Sequence, residues 1–312
     1  GAVAVRLARA ATGRERVVFC GYHGWHDWYL SANLADDANL DGHLLPGLYP
    51  GGVPRGLKGT SVPFRYNDLE SFRHAVSHGD VAAIVMEVER SIPPEPGFLQ
   101  EIRKTATAIG AVLIFDECTS AFRKIVGGHH LTVGVNPDMA IFGKTLGNGY
   151  AINAVIGTEP VMSAITKTFM SSTFWTERIG TTAAIAALEE MEASEAPQRI
   201  DRLGKRLRRI WTEVADGLDL RVDFSGLPAL NRAQITGLEP DLVNPLLTER
   251  FLNKGFLSGA ATYISIPHEE ILEEEFRDGL GAVLSSVRLS IEEGLFSNEP
   301  DSRIQTGFSR LN

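Results

Sequence analysis

The chain has 312 residues, of which 44% are hydrophobic and 22% charged, with a formal net charge of -9. This suits a packed globular protein, either one large domain or a large domain with a smaller companion, and the acidic balance argues against a general nucleic-acid binder. Cys20 and Cys118 make no disulfide framework, and no signal-peptide pattern or bilayer-length apolar run is read, so a soluble cytoplasmic protein is expected.

The chain opens with "GAVAVRLARAATGRERVVFC" and no initiating methionine. Val3, Val5, Leu7 and Ala10, with Ala4 and Ala8, predict a helix that Gly13 ends. A helix with no turn or cap before it leads to the expectation that an upstream part is lost, cleaved or supplied by another chain. "RVVFC" (16–20) reads as a buried strand and "VAAIVMEV" (81–88) as another. "EIRKTATAIG" (101–110) reads as a helix stopped by glycine, and "AVLIFDE" (111–117) as an apolar strand ending in two carboxylates. "DMAIFG" (138–143) and "INAVIG" (152–157) are further short apolar runs bounded by glycine. Continuous apolar strands between helices predict an α/β fold with a mostly parallel central sheet covered by helices, and such sheets carry sites at their strands' carboxyl ends.

The later part differs. Ile200, Leu203, Leu207, Ile210 and Val214 keep helical spacing, and "KRLRR" (205–209) inside that helix is expected to be a solvated face. "LRVDFSG" (220–226) and "RAQITG" (232–237) read as short strands, followed by helices over 241–255 and 268–287. This predicts a large domain over 1–192 and a smaller C-terminal α+β lobe over 193–312.

Residues 27–65 are poorly patterned for a compact domain, which marks either a surface excursion or a segment over the active site. Trp25 and Trp28 are expected to pack beneath it. His23 and His26 have a spacing that metal ligands can use, but no further His/Cys cluster joins them, and no metal is expected. Asp116 and Lys144 both end apolar strands, so they can converge on one sheet edge. They read either as a buried salt bridge or as a cofactor cleft, where a carboxylate faces a positive ring nitrogen and a desolvated lysine forms a Schiff base, the pair that pyridoxal phosphate needs.

"IFDECTSAFR", "GVNPDMAIFGKTLGNGYAINAVIG" and "SSTFWTERIG" resemble the class III, fold type I pyridoxal-phosphate aminotransferases, in particular the branch of glutamate-1-semialdehyde 2,1-aminomutase. "RLARAATGRERVVFCGYHGWHDWYL" resembles the family's stretch after its phosphate-binding turn. The resemblance implies pyridoxal 5'-phosphate as cofactor, with Lys144 as the Schiff-base lysine and Asp116 beside the pyridine nitrogen. It implies Tyr22, followed by His23, stacked on one ring face and Cys118 against the other, and Thr173 donating to the phosphate across a homodimer interface. Glu87 matches a strand-end glutamate near the site, although Val88 stands where the family usually has proline. Gly147 and Gly149 read as backbone freedom beside the cofactor.

The implied activity is transamination between an amino donor and a carbonyl acceptor, a small oxo-acid, semialdehyde or keto-sugar. The alternatives are an intramolecular aminomutase, or a half-site subunit needing a partner chain. The Gly-Ser/Thr turn that holds the phosphate in the family would precede Gly1, so weak cofactor retention is expected of these residues alone. Arg178 and Arg310 are candidates for binding a substrate carboxylate, while Arg123 follows the aspartate motif as in the family and reads either as a further candidate or as a structural residue.

Overall fold

A computed structural model describes residues 1–43, 47–89, 91–271 and 274–293. The chain separates into two compact units, one holding residues 1–191 and one beginning at Glu192.

The first unit opens with α1 (Ala2–Thr12), which buries Ala4, Val5, Leu7 and Ala8 and stops at Gly13 in the left-handed conformation, φ 68°. There follow β1 (Arg16–Cys20), α2 (Asp27–Leu30), β2 (Ser61–Pro63), α3 (Leu69–Ser77), β3 (Val81–Met86), α4 (Phe98–Ile109) and β4 (Val112–Asp116). α5 (His130–Val133), β5 (Met139–Phe142), β6 (Ala154–Gly157), α6 (Glu159–Met162) and α7 (Ile179–Ala193) complete it. The sheet order is β2-β1-β3-β4-β5-β6. All neighbours pair in parallel except β5 and β6, which pair antiparallel.

The apolar strands are continuous because both faces are covered. Val17, Phe19, Ala83, Val85, Ile114 and Ile141 share one core with α1. Their alternates Val18, Cys20, Ile84, Met86, Leu113 and Phe115 share another with Phe72 of α3 and Phe98, Leu99 and Ile102 of α4. Side chains alternate across a strand, so each strand must be apolar at every position to feed both cores. The strands read over 81–88 and 111–117 end earlier, at Met86 and Asp116. Glu87 and Glu117 therefore stand on connections.

The second unit contains α8 (Ala196–Asp216), β7 (Val222–Ser225), β8 (Leu230–Ile235), α9 (Pro240–Asn253), β9 (Ala261–Tyr263), α10 (His268–Ile271) and α11 (Glu275–Glu292). Its three-stranded sheet runs β7-β8-β9, antiparallel throughout. β9 is an addition to the two strands expected, and the helix read over 268–287 divides into α10 and α11. Trp211, Phe251, Phe276 and Leu280 lie in one core. The basic run on α8 is not simply a solvated face: Arg208 donates to Asn231 Oδ1 at 2.8 Å and to the carbonyls of Ser225 and Gly226 at 3.1 and 2.6 Å.

Candidate functional site

Four parallel strands deliver their next residues to one sheet edge: Gly21 to His23 after β1, Glu87 after β3, Glu117 to Thr119 after β4, and Lys144 after β5. Gly21 turns the chain with φ 104°, and a Cβ there would lie 3.0 Å from Glu87 Oε2. The turn thus needs a left-handed residue without a side chain.

At the centre of this edge, Asp116 pairs with His23. Nδ1 of His23 lies 2.8 Å from Asp116 Oδ2, and Nε2 lies 3.0 Å from the Cys20 carbonyl. Both ring nitrogens face oxygen acceptors. The imidazole is buried and stacks on Trp28, ring centres 5.9 Å apart. Burial on its own would raise the Asp116 pKa. The His23 hydrogen bond and charge, with the Cys118 N–H at 3.2 Å, outweigh it and hold the carboxyl down at about 2. Asp116 therefore stays ionised at neutral pH. The Asp116–Lys144 salt bridge weighed from the sequence is replaced by this pair.

Lys144 is exposed, so burial of an ammonium is not the problem its position solves. Its backbone is left-handed, φ 46°, and its Nζ donates to Thr119 Oγ1 at 2.7 Å. The preceding Gly143 leaves no room for a side chain: a Cβ would come within 2.5 Å of Asn153 Oδ1 and 3.3 Å of Cys118 Sγ. Of the two later glycines, Gly149 has the positive φ, 106°, whereas Gly147 is required by close packing on the Tyr150 carbonyl and Ile152.

Tyr22 is half-buried with its ring edge-on to Tyr29 at 5.9 Å. Cys118 lines a cavity of about 720 Å³ together with Asn153, Ser172 and Phe174. Burial pushes its thiol pKa up to about 12, with Asp116 adding to the shift, so it is no thiolate nucleophile at neutral pH. Thr173 is exposed on a short 3-10 turn between two residues that line that cavity. Glu87 is buried against the Gly21 turn. Arg123 lines a second cavity, of about 480 Å³, with Lys144, Asn148 and Tyr150, and its Nε donates to the Thr119 carbonyl at 3.3 Å. Arg178 is exposed beside α7, and Arg310 lies outside the described residues. Trp28 is buried as expected, but Trp25 is 74% exposed and stacks on His26.

Three residues here were not anticipated. Thr119 holds the lysine amine. Glu117, one residue past the noted carboxylate, accepts from the His130 N–H at 2.8 Å and lies 2.9 Å from its Nδ1. His43 accepts the Gly21 N–H at 3.0 Å, which brings the poorly patterned stretch to the end of β1. Only Glu117 carried a sequence signal, as the second acid closing an apolar run.

The donor set fits pyridoxal phosphate. It offers a primary amine, a carboxylate held ionised and an aromatic ring within one strand-end cluster, beside cavities that reach Cys118 and Lys144.

A family model described as Aminotransferase class-III matches residues 2–219. The 3-aminobutyryl-CoA aminotransferase of Cloacimonas acidaminovorans (strain Evry) is 32% identical over 261 residues, covering 80% of this chain and 58% of that protein. The glutamate-1-semialdehyde 2,1-aminomutase of Sulfolobus acidocaldarius is 31% identical over 229 residues, covering 70% of this chain and 53% of that protein. Among solved structures, the PLP internal aldimine form of the Sphingopyxis sp. MTA144 FumI protein matches 96% of this chain and 70% of its own, with a TM-score of 0.82 at 21% identity. That likeness shows the fold. The chain spans about half the length of the curated relatives it matches.

Proposed function

The chain belongs to the class III aminotransferase family, which uses pyridoxal 5'-phosphate, and from that premise we propose that it is an aminotransferase acting on a small oxo-acid, semialdehyde or keto-sugar. The observation that carries this reading is the strand-end cluster of Lys144, the Asp116–His23 pair and Tyr22. When bound, the cofactor supplies an electron-withdrawing ring that makes the hydrogen on a substrate's amine-bearing carbon acidic.

The chain's own residues supply the rest. Lys144 offers the amine that would fasten the cofactor aldehyde, and its Nζ would move the proton at the substrate carbon. Asp116, kept ionised by His23, places a negative charge where a protonated ring nitrogen is stabilised. Tyr22 presents a flat face for stacking, and Cys118 a small apolar one opposite. Thr173 would donate its hydroxyl to the phosphate bound by the neighbouring subunit, and Glu87 stands near the site. The large unit is the cofactor-binding domain and the second unit a smaller companion lobe.

We place the protein in the cytoplasm as a homodimer. Free Cys20 and Cys118 suit a reducing compartment, and no helix among the described residues is long and apolar enough to cross a membrane. Phe169, Phe174, Trp175 and Ile179 expose 82%, 76%, 53% and 64% of their surface, which suits a covered subunit face. Aminomutase activity is the second reading, favoured by the Sulfolobus acidocaldarius relative. A partner chain completing the site is also compatible with the span of the relatives.

The test is to incubate the purified protein with pyridoxal phosphate, reduce with borohydride and locate the adduct by mass spectrometry. We expect it at Lys144, its absence in Lys144→Ala, and release of pyridoxamine phosphate on adding an amino donor. An adduct spread over surface lysines, equal in both proteins, overturns the proposal.

A further inference from the structure

Lys144 is held at its tip as well as at its backbone. Its stem is long and freely rotating, with about 2 kcal/mol of rotamer entropy in a lysine side chain. The left-handed backbone at φ 46° fixes where that stem begins. The 2.7 Å hydrogen bond to Thr119 Oγ1 fixes where it ends.

Thr119 can do this because its own turn is rigidly tied. Buried Glu117 is the hub. Its carboxylate accepts from the backbone and ring of His130 and from the Ser120 hydroxyl, and its N–H donates to the Ile141 carbonyl of β5 at 2.8 Å. The Ala121 N–H returns to the Glu117 carbonyl at 3.0 Å, and Arg123 Nε clasps the Thr119 carbonyl at 3.3 Å. Burial would raise the Glu117 pKa, but the hydrogen bonds from His130 and Ser120 win and lower it. The hub therefore stays charged and keeps accepting. Strands β4 and β5 are neighbours, so a turn fixed on one is a fixed reference for a side chain leaving the other.

We propose that Thr119 is a positioning residue for Lys144, its hydroxyl holding Nζ over the strand ends where the cofactor aldehyde must arrive. The inference rests on the cofactor reading above. A hydroxyl both accepts and donates, so it can hold the amine whether or not that amine carries its extra proton.

Cofactor-free protein is mixed with pyridoxal phosphate, quenched with borohydride at intervals, and the Lys144 adduct is quantified by mass spectrometry. In parallel, reductive methylation with formaldehyde reports the reactivity of the same amine toward a reagent that needs no placement, with Lys104 as internal reference. Losing one hydrogen bond predicts that Thr119→Val slows cofactor capture about tenfold, while methylation of Lys144 changes less than about twofold. Thr119→Ser keeps the hydroxyl and restores capture. Unchanged capture in Thr119→Val, equal slowing of both reactions, or failure of Thr119→Ser to restore capture overturns the role of Thr119. Wild-type protein that is methylated at Lys144 yet captures no cofactor overturns the cofactor reading, and this inference with it.

Discussion

His43 shows how one side chain binds an irregular segment to the site. Its Nδ1 accepts the Gly21 N–H at 3.0 Å, and its ring packs 5.5 Å from Phe19. Burial, aided by the positive charge of His23, pushes its pKa from 6.5 down to about 4. The unfolded chain thus takes up a proton that the folded chain refuses, so the stability His43 contributes is whole above pH 6.5 and is lost as pH falls through 4. Asp116 acts lower: its pKa falls from 3.8 to about 2, so its contribution persists to pH 3.8 and is lost only as pH falls through 2. Urea midpoints followed by tryptophan fluorescence should decline between pH 6.5 and 4 in the wild type. The decline should flatten in His43→Asn, which keeps an acceptor without the titration; an identical slope in the variant would refute the assignment. This bond was invisible in the sequence, because 22 positions of poorly patterned chain, short helix α2 among them, separate its partners. The same holds for His23 and Asp116, 93 positions apart. Sequence pattern located Asp116 at the end of β4 and Lys144 at a strand end, although the lysine stands two residues past β5 on a 3-10 turn, and a strand end does not say which neighbour a side chain will meet.

At the scale of elements, legibility followed burial. β3 and β4 could be read because both faces are covered and every position but the closing Asp116 is apolar. β2 and β9, three residues each, offer no such run, and β2 ends in a proline inside the stretch with no pattern. Helix α8 was legible from its apolar stripe, yet the opposing face was misread in part. Arg208 supplies the donors for two turn carbonyls and for buried Asn231, work that a charge count cannot distinguish from solvation. One turn earlier, Gly204 lies flush against the Pro228 carbonyl, where a Cβ would collide with backbone. Gly204→Ala should therefore destabilise the second unit by roughly 1–3 kcal/mol despite alanine's better helix propensity. Urea unfolding with unchanged m-value checks this, and a stabilised variant would show that the helix can move away freely.

At the scale of the whole molecule, the first unit exposes six large apolar side chains between residues 165 and 185, Ile165, Phe169, Phe174, Trp175, Ile179 and Ile185, which are the candidates for a subunit face. If that face is the subunit contact, Phe174→Asp should shift the protein from dimer to monomer in sedimentation velocity while leaving its far-ultraviolet dichroism intact. A wild-type monomer, or a variant that stays dimeric, would remove the face from that role. The pairing of His23 with Asp116 has a further consequence, in the timing of synthesis. At about 5–20 residues per second, a ribosome adds the 93 positions between them in roughly 5 to 19 seconds. During that interval β1 carries its histidine with no carboxylate to meet, and the amine of Lys144 has yet to be made. A nascent chain therefore lacks the carboxylate and the amine of the proposed cofactor site until the fifth strand is complete, so a fully formed site can only follow the synthesis of that strand.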